Sequence, residues 1–104
     1  MAGNSILTNS VSSTLTTVGG TASVTIESSF GILSKIWINP ATATTKYDFK
    51  FTDFHNIDSF VEEDIEGKYS ETDVGEPVYS NFTFTIENAD ADEEFTYLLV
   101  FRTA

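Results

Sequence analysis

The sequence predicts an all-β chain: an antiparallel β-sandwich or jelly roll of about seven or eight strands. Three observations carry this reading. Several stretches alternate apolar and polar residues with a period of two. Turn signals built from Gly, Pro, Asn and Asp recur about every ten residues. Between them the connections are too short for crossover helices, so neighbouring strands must run antiparallel. The 104 residues suit one domain with a single core. Nine Phe, four Tyr and one Trp supply the area to fill it, since each aromatic buries roughly 150–250 Å².

Residues 1–18 are rich in Ser, Thr and Asn and alternate thinly through Ile6, Val11, Leu15 and Val18. β-branched residues favour extended backbone. The segment reads as an irregular edge strand with a frayed terminus, or as an arm that becomes ordered on a partner. In the second case Ile6, Leu7, Val11, Leu15 and Val18 are the candidate interface residues. Removing the arm should then leave a folded domain.

Gly19-Gly20 is a turn signal, and Ala22, Val24 and Ile26 alternate with polar residues as a half-buried strand. The segment from Gly31 to Pro40 is apolar enough to be buried on both faces. Pro40 cannot donate to a ladder and must end that strand or enter the turn. After a Thr-rich turn, Tyr47, Phe49 and Phe51 share one face, opposed by Asp48, Lys50 and Thr52. Between Phe54 and Gly75 the pattern weakens. A short helical turn near Ile57–Asp64 and two strands, Ser59–Asp64 and Gly67–Thr72, are equally compatible with it. Val78 to Asn88 reads as one strand with Val78, Ser80, Phe82, Phe84 and Ile86 on one face. Glu94 to Thr103 is apolar on both faces and belongs in the middle of a sheet.

Charge is distributed unevenly. The net charge is −11. Residues 1–47 hold one acid, Glu27, and two bases, whereas residues 48–104 hold fifteen acids and three bases. Such a chain gains no counterion-release affinity for nucleic acid, so nucleic-acid binding is not expected. No segment has the run of about 20 apolar residues that spans a membrane, and no membrane partner is expected. The start lacks a basic, apolar leader, and cysteine is absent. Export by the usual route is not expected, and disulfides and thiolate metal sites have no ligands.

Residue chemistry supplies no catalytic residues and points to no enzyme. His55 is the single histidine, and no Gly-x-Ser-x-Gly elbow surrounds a serine. No Gly-rich phosphate loop is present, so no cofactor is expected. The acidic runs Glu62–Glu66 and Asp90–Glu94 offer oxygen ligands of the kind Ca²⁺ takes, but without EF-hand spacing. They read as solvated turn residues, with no metal site assigned. Trp37 and Tyr79 together could form a sugar-stacking platform. Trp37, set between Ile36 and Ile38, reads instead as core. The triplet Asn81-Phe82-Thr83 reads as strand sequence.

The run Ile36-Trp37-Ile38-Asn39-Pro40-Ala41-Thr42-Ala43-Thr44-Thr45-Lys46-Tyr47-Asp48-Phe49 resembles a segment of small virion structural proteins of tailed bacteriophages. The similarity continues through the strand Asn81-Phe82-Thr83-Phe84-Thr85-Ile86-Glu87-Asn88-Ala89, then the acidic loop and apolar last strand from Asp92 to Arg102. It covers residues 30–102. The resemblance implies a small β-sandwich without catalytic residues, most simply a capsid decoration (cement) protein. Its partners would be the major capsid protein or other virion proteins, and its own copies, with a trimer favoured. A tail or baseplate component and a carbohydrate-binding module are the alternatives. A chain so acidic would be repelled by the packed polyanion inside a capsid. The expected location is therefore the outer surface of the particle, after synthesis in the host cytoplasm. Residues 1–30 and part of the 31–51 sheet would dock on the shell, while acidic loops 58–76 and 88–94 face solvent.

Overall fold

Alternation of apolar and polar residues produces nine strands in two sheets, with no helix among the described residues. The structure, a computed structural model, describes residues 8–27, 31–53, 55–78 and 81–103. The strands are β1 (Thr8–Thr16), β2 (Ala22–Ile26), β3 (Ile32–Pro40), β4 (Lys46–Asp53), β5 (Asp58–Glu66), β6 (Tyr69–Glu71), β7 (Glu76–Pro77), β8 (Phe82–Glu87) and β9 (Glu94–Arg102). One sheet has the order β1-β9-β3-β6, with β7 also on β3. The other has the order β2-β8-β4-β5.

The pairing is nested. β1 pairs with β9, β2 with β8, β3 with β6 and β7, and β4 with β5, all antiparallel. A long hairpin rolled in this way is a jelly roll. Its tip is the turn between β4 and β5, where the Asp53 carboxylate accepts the backbone N–H groups of His55 and Ile57 at 2.9 and 3.0 Å. The ambiguous stretch after Phe54 thus resolves into strands. β6 and β7, at three and two residues, are too short to carry a period.

The core lies between the sheets and is largely aromatic. Tyr47, Phe49 and Phe51 of β4 face inward as the alternation predicts, as do Phe82, Phe84 and Ile86 of β8. Phe51 stacks on Phe84 at 5.0 Å, and Phe84 meets Tyr97 of the facing sheet edge-on at 5.1 Å. Tyr47 meets Phe95 edge-on at 5.0 Å, tying the sheets together a second time. Each such pair adds about 0.5–1.5 kcal/mol beyond the area it buries. Burial pushes the Tyr47 hydroxyl well above the ordinary tyrosine range. It therefore stays protonated and donates to the Gly67 carbonyl at 2.8 Å.

Two strand expectations need correction: β8 is Phe82–Glu87, with Val78 and Asn81 outside it, and the third strand is exposed on one face. β3 is not buried on both faces. Ile36 and Ile38 are inside, but Trp37 lies on the outer face and is 40% exposed. Of the two readings of the N-terminal segment, its described part takes the edge strand. Thr8–Thr16 pairs with β9 residue for residue, from Thr8↔Arg102 to Thr16↔Glu94. Val11 and Leu15 point inward and pack against the core.

Candidate functional site

The outer face of the β1-β9-β3-β6 sheet is built by strand parity. Inward Ile36 and Ile38 force Lys35, Trp37 and Asn39 outward, and inward Phe95, Tyr97, Leu99 and Phe101 do the same for Thr96, Leu98, Val100 and Arg102. Trp37 sits opposite Leu98 on one side and Ser70 on the other. The indole forms a ridge with a groove on each flank. One groove, of about 450 Å³, is lined by Asn39, Lys68, Ser70, Thr72, Thr96 and Leu98 among others. The second, of about 400 Å³, lies against Asn9, Ser10, Lys35, Leu98 and Val100.

Electrostatics distinguish this face from the rest of the molecule. Lys35, Lys68 and Arg102 are three of the chain's five basic residues and lie on or beside it. By strand parity its one acid among the described residues is Glu94, at the far end of β9. The opposite flank is different: β5 alone carries Asp58, Glu62, Glu63, Asp64 and Glu66. An apolar patch centred on an exposed Trp and fringed by bases can dock a surface that is apolar at its centre and neutral or acidic at its rim. It can also stack the indole on a flat ligand. Beneath it, the hydroxyl of inward-facing Tyr69 is pushed up to about 12 by burial, with Glu62 and Glu71 adding to the effect. Tyr97 is likewise raised by burial. Both remain neutral at physiological pH and offer no nucleophile.

The acidic loop 88–93 is at the surface, but its carboxylates are not merely solvated. Asp92 accepts the backbone N–H groups of Gly19 and Gly20 at 3.1 and 2.8 Å. Asp90 accepts Lys46 N–H at 3.1 Å, and Glu93 accepts the hydroxyls of Thr42, at 2.7 Å, and of Thr45. Those two hydroxyls hold the Glu93 carboxyl below the ordinary glutamate range. The loop therefore ties the β1–β2 and β3–β4 turns to β9. Asp48 does similar work on the other sheet, accepting Asp64 N–H at 2.9 Å and the Asn88 side-chain amide at 2.7 Å. Among the described residues, no group of three or more His, Asp or Glu side chains is placed to hold a metal ion. No helix among them is long and apolar enough to cross a membrane.

The candidate interface residues fall into three groups. Ile6 and Leu7 lie outside the described residues, as does Tyr79 of the possible sugar platform. Val11 and Leu15 give their apolar surface to the core. Val18 is 77% exposed in the β1–β2 turn, bridged to Thr21. Of the described three, Val11 and Leu15 thus face the core and Val18 faces solvent. His55 is exposed in the β4–β5 turn, far along the chain from the Trp37 face. Sequence reasoning missed Leu98, Val100, Lys35 and Lys68 as companions of Trp37. The signal available was the double-faced apolarity of the 31–40 and 94–103 segments, with Lys35 inside the first and Arg102 near the end of the second. Compared with known proteins, the chain matches no family model and no curated protein.

Proposed function

We propose that this chain is a non-enzymatic structural protein of a tailed-phage virion. It decorates the capsid, docking on the outer surface of the shell and stabilising it. The docking surface is the outer face of the β1-β9-β3-β6 sheet, and the partner is the major capsid protein. One observation carries the reading: a half-exposed Trp37, beside Leu98 and Val100, lies on a basic-fringed face of an otherwise strongly acidic protein. Aromatic anchors with a charged rim are the usual energetic centres of protein interfaces. The acidic β5 flank, turned away from the shell, keeps decorated particles mutually repellent.

The jelly-roll connectivity is compatible with this role, because capsid and lectin domains both use it. Fold alone assigns no function. The test is co-sedimentation of purified protein with undecorated shells. Saturable binding that is lost in Trp37→Ala supports the proposal, and equal binding by the variant contradicts it. Placement in a tail or baseplate would instead give a few copies at one vertex.

One further observation favours a second reading, a carbohydrate-binding module. The larger groove beside Trp37 combines an aromatic wall with Asn39, Ser70, Thr72 and Thr96, an amide and hydroxyls suited to a sugar ring. Retention of glycans on an array, lost on Trp37→Ala, would favour that reading over shell docking.

A further inference from the structure

The two sheets end in four edges, and two of them are protected. β5 is protected by its five carboxylates, by two register shifts against β4, and by Asp64 at φ 57°. β6 and β7 are three and two residues long. These are the ordinary devices that stop a sheet edge from recruiting another strand. β2, at five residues, and β1 have none of them, and β1 is much the longer. It is nine residues long, carries no charge, proline or glycine, and pairs with β9 without a bulge. Its other side has no strand partner among the described residues.

Charge and packing both identify what fits this edge. In a chain of net charge −11, the acidic surfaces of two copies repel each other. The β1 flank is free of that repulsion, because β1 and the neighbouring edge strand β2 are both uncharged. Val11 and Leu15 are only partly buried where the sandwich opens at β1. A strand laid alongside would cover the remainder.

We propose that β1 pairs antiparallel with β1 of a second copy across a two-fold axis. The sheet then runs β6-β3-β9-β1 and continues through the partner in reverse order. The exposed side chains of Ser10, Ser12 and Thr14 lie along the seam, where small hydroxyl pairs suit cross-strand contact. This gives a two-fold dimer, not the trimer that the family resemblance favours. The inference does not depend on what the Trp37 face binds.

The geometry makes a specific demand. Side chains alternate between faces, so a two-fold axis perpendicular to the sheet must place some residue of β1 opposite its own copy. The chain has no cysteine, so single cysteines placed in turn at each position from Asn9 to Leu15 report this directly. Light scattering of the full chain should give a mass near twice 11.4 kDa. One cysteine position should form a disulfide dimer under mild oxidation, while Ser70→Cys on the opposite edge should not. The double variant Ser12→Lys with Thr14→Lys should weaken the dimer by about tenfold or more through like charges across the seam. A monomer at every concentration tested would overturn the proposal. So would an oligomer that ignores the lysines, or one without self-cross-linking along β1.

Discussion

Thr17 and Glu93 hold each other at two points although 76 positions separate them. Glu93 N–H donates to Thr17 Oγ1 at 3.0 Å, and Thr17 N–H donates to the Glu93 carbonyl at 3.0 Å. The Thr17 hydroxyl completes the link by donating to the Ala91 carbonyl at 3.0 Å. The Glu93 carboxylate extends the same knot to Thr42 and Thr45. One end of the sandwich is thus closed by polar bonds, not by apolar burial.

That knot makes stability depend on pH in a predictable direction. The Glu93 carboxyl is held below its ordinary value of about 4.3. Its contribution is fully present above the unfolded value and is lost as pH falls through the folded one. Glu93→Gln should lower Tm at pH 7 and narrow its gap from the parent as pH drops below about 4. Glu76 behaves in the opposite way, because burial raises its carboxyl. The folded state disfavours its charge, so Glu76→Gln should raise Tm at pH 7 and leave it unchanged near pH 3. Thermal unfolding followed by circular dichroism across that range checks both. A Glu93→Gln variant with an unchanged Tm at pH 7 would remove the knot from the account.

Gly67 should tolerate no side chain. Its φ is +71°, and a Cβ there would lie 2.4 Å from the Ala43 carbonyl oxygen. Left-handed strain alone costs about 1–2 kcal/mol, and here a backbone clash adds to it. Gly75 has a similar φ of +67° but open space around it. Gly67→Ala should therefore destabilise markedly more than Gly75→Ala in urea denaturation. Equal losses would mean that the β5–β6 turn can move away from Ala43.

Truncation separates a structural N-terminal segment from a dispensable one. Deleting residues 1–18 removes all of β1, exposing the edge of β9 and the flank of Phe95 and Leu99. The shortened chain should aggregate or unfold with a Tm far below the parent's. A well-folded chain lacking residues 1–18 would return that segment to the status of an arm.

Trp37→Ala should separate docking from folding. The indole is on the outer face, and the residues opposite it, Leu98 and Ser70, are themselves on the surface. The variant should keep its sheet spectrum with only a modest drop in Tm. Affinity for the shell should fall by about thirtyfold, the loss of roughly 2 kcal/mol typical of an interface anchor.

Much of the fold was legible because alternation records which face of a strand meets the core. Tyr47, Phe49 and Phe51 opposed by Asp48, Lys50 and Thr52 leave only one way to orient β4. Trp37 was misread for the same reason. Ile36, Trp37 and Ile38 are apolar on both faces, and a strand pattern cannot distinguish a covered outer face from an exposed one. The carboxylates of Asp90, Asp92 and Glu93 looked like ordinary turn residues. Their partners, Lys46, Gly19-Gly20 and Thr42 with Thr45, lie far away in sequence, and only the nested roll brings them together. Local sequence held no trace of that, although the reading of Gly67–Thr72 as a strand did contain the three-residue β6.

The most direct test of the central claim is cryo-electron microscopy of purified particles containing this chain, with its copy number measured in the same sample. The account predicts copies distributed over the whole outer shell, with the Trp37 face of the β1-β9-β3-β6 sheet turned toward the capsid and the β5 flank toward solvent. A chain confined to the tail or one vertex, or bound to the shell through β5, would contradict it.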